Sequence, residues 1–222
     1  MHTLYHYPLC PLCRKVRLLL AEKLIDFVER EETPWDAHQD FLEINPTGEV
    51  PYLEESSGTC IGGSWAIAEY LEETSPDPPL LGKTLQESGE VRRLVEWFDI
   101  KFYSEVYQRV VYEKVLKRFR EARGPDSNAI RQGKRDLETH LLYITWLTDR
   151  RNWLAGDFFS LADVAAAAHL SVLDYLGEVS WEKFPEAQDW YARIKSRPSF
   201  RPLLKDRIAA FSPASHYTNL DF

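Results

Sequence analysis

Cysteine is scarce in this sequence, with three in 222 residues. So small and odd a count cannot build a disulfide framework, and it fits a reducing compartment. There is no second CxxC and no paired-histidine spacing, so no metal site is expected. Positive charge is also in deficit: 27 Lys and Arg stand against 35 Asp and Glu, a formal charge of −8. Such a chain is a poor partner for nucleic acid or an anionic membrane. The apolar stretch around Val164–Leu170 falls well short of the roughly 20 residues that span a bilayer. The opening MHTLYHYPLC shows no basic region followed by a long apolar run, so no secretory signal is expected. These absences point to a cytoplasmic protein with no direct membrane insertion and no nucleic-acid partner.

What remains supports a packed core. Hydrophobic residues make up 44% of the chain and charged residues 28%, which argues against wholesale disorder. Two regimes follow one another. Residues 1–80 mix short β-like runs with helices, 86–207 read as helical almost throughout, and 208–222 form a tail. The segment SPDPPLLGK, with three prolines and a glycine, marks a linker at about 81–85. In the first regime Thr3–Tyr7 and Phe27–Glu31 read as strands. Pro11–Glu22 reads as a helix whose proline suits the first helical position. The stretch 36–49 is a weak helix ending at Asn45-Pro46. Pro51–Glu54 and Thr59–Gly62 pair as a hairpin across SSG, and Ser64 is expected to cap a helix through Glu73. The order is βαβ-α-ββ-α. In the second regime Val91, Leu94, Val95, Phe98, Phe102 and Val106 mark one face of a long helix stopped by Gly124-Pro125. Leu137, Leu141, Ile144 and Leu147 mark another. A third begins at Ser160, whose S-x-x-D with Asp163 has the form of a reciprocal N-terminal cap.

Several residues carry chemistry. Cys10-Pro11-Leu12-Cys13 places a thiol at a helix N-terminus near Arg14, both of which lower a thiol pKa. One reading makes Cys10 a nucleophile that Cys13 resolves. The other makes Cys13 a small core residue and Cys10 a bystander. Trp35, between Pro34 and Asp36, is either an exposed anchor or a ring folded over adjacent apolar surface. Lys114, Lys117, Arg118, Arg120 and Arg123 form a basic run that reads as a solvated helix face. The terminal HYTNLDF concentrates aromatics, Leu and acid charge, a composition suited to docking, with His216, Tyr217, Leu220, Asp221 and Phe222 as its candidate contacts.

YPLCPLCRKVRLLL, EVPYL, GSWAIAEYLEE and LAGDFFSLADVAAAAHL, in this order and spacing, resemble the glutathione S-transferase superfamily over nearly the whole chain. The resemblance implies a thioredoxin-like N-terminal domain and an all-helical C-terminal domain. It implies a cis-proline at Pro51, with Val50 pairing to the glutathione backbone. It also implies a γ-glutamyl site at Ser64 and the helix it opens. The family usually sets an acid before that serine, to accept the ammonium group of glutathione. Here the residue is Gly63, with Glu54 or Glu69 as nearby carboxylates. Losing a charge-assisted bond of about 1.5–3 kcal/mol weakens binding roughly tenfold to over a hundredfold. The terminal PxxHYxxLDF, with EVRRLVEWFDIKF and HLSVLDYLGEVSW, resembles a narrower branch. Its members are transferase-like proteins that bind the tubulin-like GTPase FtsZ in alphaproteobacterial division. That branch implies a noncatalytic homodimer acting at the division site, with no cofactor. It implies contacts to FtsZ filaments through Trp35 and the helical surface, and to other division proteins through the tail. On this reading the tail can be removed without loss of folding. The competing reading is a glutathione-dependent transferase or thiol reductase using Cys10, with glutathione as its cofactor.

Overall fold

The structure is a computed structural model describing residues 1–36, 38–121 and 123–220. The chain divides into two compact units, Met1–Pro79 and Leu80–Phe222.

In the first unit the elements are β1 (His2–His6), α1 (Pro11–Glu22), β2 (Phe27–Glu31), α2 (Gln39–Ile44), β3 (Tyr52–Glu54), β4 (Cys60–Gly62) and α3 (Ser64–Thr74). The sheet order is β2-β1-β3-β4. β1 runs parallel to β2, while β3 is antiparallel to both β1 and β4. The parallel pair requires a crossover, which α1 supplies. The apolar side chains Leu4, Val16, Leu19, Leu20, Leu53, Ile67 and Leu71 form the interior between sheet and helices. At the lower end of α1, Lys23 pairs with Glu72 at 2.9 Å and donates to the Ser75 carbonyl at 2.6 Å, tying α1 to the end of α3. Helix α2 is shorter than the pattern over 36–49 predicts. Only Phe41 of its six residues is buried, so little tertiary packing extends it.

The second unit begins with α4 (Leu85–Glu96), capped by Thr84 and Glu87. It passes without a break into a wide-turn helix, Trp97–Leu116, and a last turn, α5 (Lys117–Arg120). The change of winding is legible in the apolar spacing. Within the wide-turn segment buried residues fall at Phe98, Phe102, Val106–Tyr107, Val110–Val111 and Val115–Leu116. They recur every four or five positions, too far apart for 3.6 residues per turn. The helix ends at Arg120, ahead of Gly124-Pro125. α6 (Ser127–Thr148) packs on the wide-turn segment through Gly133, where a Cβ would lie 2.8 Å from Arg109 Cβ and Val110 Cγ2. α7 (Leu161–Tyr175) is buried on every side. Its Ala165–Ala168 run permits that close surround. α8 (Pro185–Lys195) and α9 (Arg201–Leu204) complete the helices. Among the described residues no helix is long and apolar enough to cross a membrane.

The basic run after Val110 is less free than a solvated face. Lys114 pairs with Glu178, Lys117 pairs with Glu113 at 2.8 Å, and Arg118 lies over the rings of Phe119 and Phe211.

Candidate functional site

In the first unit, Cys10 is the N-cap of α1, half-buried, and its N–H donates to the Tyr7 carbonyl at 2.9 Å. Cys13 lies one turn in and is fully buried. Its Sγ accepts the Tyr7 N–H at 3.5 Å and is hydrogen-bonded to Cys10. Burial, reinforced by Cys10, holds the Cys13 thiol well above the usual thiol range. Cys13 is therefore a protonated core group, and Cys10 is the more accessible sulfur. Arg14 is turned inward, its Nε donating to the Pro8 carbonyl at 2.7 Å. That bond fixes the turn entering α1. Trp35 is half-buried and meets the ring of Tyr7 edge-on at 5.0 Å. It is thus both packed and partly accessible. Burial raises the Tyr7 hydroxyl above the usual phenol range, so it stays protonated.

The Val50–Pro51 peptide bond is cis. The Pro51 carbonyl accepts the Gly63 N–H at 3.0 Å, which joins this turn to the entry of α3. The loop before it is braced by Asn45. Its Nδ2 donates to the Glu49 carbonyl at 2.8 Å, and its Oδ1 accepts from Thr47 Oγ1 at 2.8 Å. Ser64 is the first residue of α3 rather than its cap. The N-cap is Gly63, and no side chain caps the helix. The N-terminal N–H groups of α3 thus lack a capping side chain, an arrangement that suits an anion. Gly63 stands at φ +86°, with nothing within 4 Å of where a Cβ would be. Backbone conformation, not crowding, favours glycine here. Glu54 sits at the far end of β3 from Pro51, about 10 Å along an extended strand, and accepts from Tyr5 Oη at 3.1 Å. At this helix entry Gly63 brings no carboxylate to receive an ammonium group.

In the second unit two buried carboxylates organise the polar interior. Asp163 accepts from the Ser160 N–H (3.0 Å) and hydroxyl (2.9 Å), the Leu154 N–H (3.0 Å) and Trp190 Nε1 (2.9 Å). Ser160 and Asp163 together form the reciprocal cap of α7. Burial raises the Asp163 carboxyl above its usual range, against the pull of those donors. At the other end of α7, Asp174 accepts from Trp181 Nε1 (2.9 Å), Tyr191 Oη (3.3 Å), Lys195 Nζ (3.2 Å) and His216 Nε2 (3.0 Å). The last of these ties the tail to the helices. Tyr217, at 0% exposure, packs on the Tyr175 ring at 5.1 Å, and its hydroxyl donates to the Leu203 carbonyl at 3.1 Å. The expectation of freely presented tail aromatics is corrected on this point. A ring without a solvent-facing surface serves the chain's own packing, so Tyr217 belongs to the core and anchors the tail to it. Motif reading missed Asp174 and Lys195, whose partners are far apart in sequence. Leu220 is half-buried, and Asp221 and Phe222 lie outside the described residues.

Comparison with known proteins bears on this geometry. Residues 4–79 match the model of the glutathione S-transferase N-terminal domain, and 133–198 match that of the glutathione S-transferase C-terminal domain. The chain belongs to the glutathione S-transferase superfamily. Within it, the chain is 48% identical over 223 residues to FtsZ-localized protein A of Caulobacter vibrioides, covering 99% of this chain and 98% of that protein. The solved structure of FzlA from C. crescentus superposes with a TM-score of 0.97 at 48% identity, covering 100% of this chain and 99% of that one. A glutathione S-transferase from Rhodospirillum rubrum F11 superposes equally well, with a TM-score of 0.97, 53% identity and complete coverage of both chains. Similarity at this level therefore extends to proteins named for division and for transferase chemistry alike.

Proposed function

We propose that this superfamily member is a nonenzymatic adaptor that binds FtsZ filaments at the bacterial division site. The likeness to FtsZ-localized protein A, which covers 99% of the chain, carries this reading. The Gly63 position supports it, because glutathione would lack there the acid that receives its ammonium group. As a cytoplasmic homodimer the protein would present two equivalent surfaces and could bridge filaments by avidity. Trp35, partly accessible beside Tyr7, is the proposed filament contact in the first unit. The end of the tail, from Leu220 through Asp221 and Phe222, is the proposed contact with other division proteins.

The test is co-sedimentation with GTP-polymerised FtsZ, with a glutathione titration on the same preparation. Pelleting with filaments and no saturable glutathione binding is the expected outcome. Saturable glutathione binding without pelleting overturns the reading. The tail contact is tested by ending the chain after Tyr217, because cutting at 208 also removes core packing.

The Cys10–Cys13 hydrogen bond favours one further reading, in which Cys10 is the nucleophile of a glutathione-dependent enzyme with Val50 and Ser64 as binding residues. A Cys10 alkylation profile with an ordinary midpoint near pH 8.5 removes its support.

A further inference from the structure

The second unit carries a basic groove beside the tail. Arg201, Leu204 and Lys205 of α9 and its exit, with Arg207, line an open groove of about 510 Å³ together with Thr218 and Leu220. Two anchors hold the tail here, the buried Tyr217 ring and its bond to the Leu203 carbonyl. Thr218 and Leu220 reach α9 because they follow directly from that anchored ring. The charge is local. In a chain of net charge −8, the stretch 197–207 holds Arg197, Arg201, Lys205 and Arg207 against Asp206 alone. Among the described residues, exposed Arg201 and Lys205 make no ion pair or side-chain hydrogen bond. Arg207 donates only to the backbone carbonyls of Leu204 and Asp206, at 3.2 and 2.7 Å. These bonds fix its guanidinium without neutralising it. Many other cations of this unit are paired, Arg93 with Glu90 and Lys117 with Glu113 among them.

We propose that this groove docks an acidic peptide segment of a partner protein. Its carboxylates would meet Arg201, Lys205 and Arg207, and an apolar side chain would lie on Leu204 and Leu220. Charge complementarity and the leucine floor select this occupant. A Debye length of about 8 Å at physiological salt lets a short segment respond to the local cations. A long nucleic acid meets the acidic remainder of the surface as well. The proposal rests on the tail end as a contact surface and gives the chemistry of what it contacts.

The experiment is fluorescence anisotropy on the full chain. The probe is a fluorescein-labelled peptide of alternating Asp and Glu around a Leu-Phe pair, and the control replaces every acid by its amide. Saturable binding of the acidic probe alone is expected, weakened by added salt. The double substitution Arg201→Glu with Lys205→Glu should weaken it at least about tenfold. Circular dichroism and an unchanged urea midpoint show that this surface variant is folded. Equal binding of the amide control overturns the proposal, as does absent binding or undiminished binding by the folded double variant. Binding that appears only after Asp221 and Phe222 are deleted assigns the groove to the chain's own acidic end, and also overturns it. FtsZ co-sedimentation with the same preparations reports separately: failure there with peptide binding intact removes the filament reading and leaves this one.

Discussion

The two units of this protein differ in where their candidate functional groups lie, although both bury ionisable side chains, Arg14, Lys15 and Lys23 in the first among them. The first keeps its chemically distinctive groups close to the surface: Cys10 half-buried at the end of α1, Trp35 beside Tyr7, and an uncapped α3 behind Gly63. The second takes Asp163, Asp174, Lys195 and His140 into its interior and supplies each with partners. A buried charge is tolerable only when paired and fully hydrogen-bonded, so these groups specify one arrangement of helices and tail. The lesson is that the second unit fixes the tail as far as Tyr217 through buried polar partners, while Cys10 and Trp35 of the first stay partly accessible.

The strongest way to break the contrast is at Lys195. Lys195→Met leaves Asp174 buried without its cation and should cost about 3–5 kcal/mol in urea unfolding. It should also speed proteolysis of the tail. A loss below about 1 kcal/mol would show the pair to be dispensable. Tyr217 gives a graded version. Tyr217→Ala should cost about 3–5 kcal/mol through the cavity it leaves, and Tyr217→Phe only about 1 kcal/mol for the lost bond to Leu203. Equal costs would mean that the ring contributes nothing to docking the tail.

A smaller effect follows from the backbone at Gly63. Gly63→Asp should lower stability by about 1 kcal/mol, because φ +86° disfavours a side chain. Glutathione titration of this variant sharpens the comparison. Tight, saturable binding would show that the missing carboxylate is what keeps this site from holding glutathione.

His140 carries the pH dependence. Trp97 Nε1 lies 3.0 Å from its Nδ1, so that nitrogen accepts and the ring proton sits on Nε2, toward Glu105 at 2.9 Å. Burial lowers the His140 pKa below its usual value, outweighing Glu105. A histidine whose folded pKa is depressed binds its proton more readily when unfolded. Its contribution is complete above the unfolded value near 6.5 and declines as pH falls toward the lower folded value. Urea midpoints should therefore drop from pH 7.5 to 5.5, and His140→Gln should flatten that drop. An unchanged slope in the variant would place the pH dependence elsewhere. The smallest effect belongs to Cys10→Ser, expected within about 0.5 kcal/mol of the parent. Labelling the folded protein with a thiol reagent should modify exposed Cys60 and half-buried Cys10 and leave buried Cys13 unmodified.

Local patterns were legible in the sequence, and distant pairings were not. Pro11 opened a helix because its missing N–H costs nothing there, and the order of elements along the chain followed from β-like runs set between helical ones. The fold was readable because each of these signals lies within a few residues. The wide turns after Trp97 were not, since the apolar face was extended at the ordinary helical period only as far as Val106. For the site, the sequence placed Cys10 at the entry of α1 and Gly63 before Ser64, but it assigned the cap of α3 to Ser64. It also treated His216 and Tyr217 as available surface. Composition reports that an aromatic wants a partner and does not say that the partner is Tyr175, 42 positions earlier. The same limit hid Asp174, whose donors are dispersed over three later stretches of chain.

That dispersion has a consequence during synthesis. Asp174 leaves the ribosome well before His216, so the buried acid waits for residue 216 before its donor set closes. A product terminated early leaves the interior short of its last hydrogen bond and of the Tyr217 ring. Completion of the helical unit is thereby made to depend on synthesis reaching Tyr217, and a chain ended before His216 should be open to proteases there.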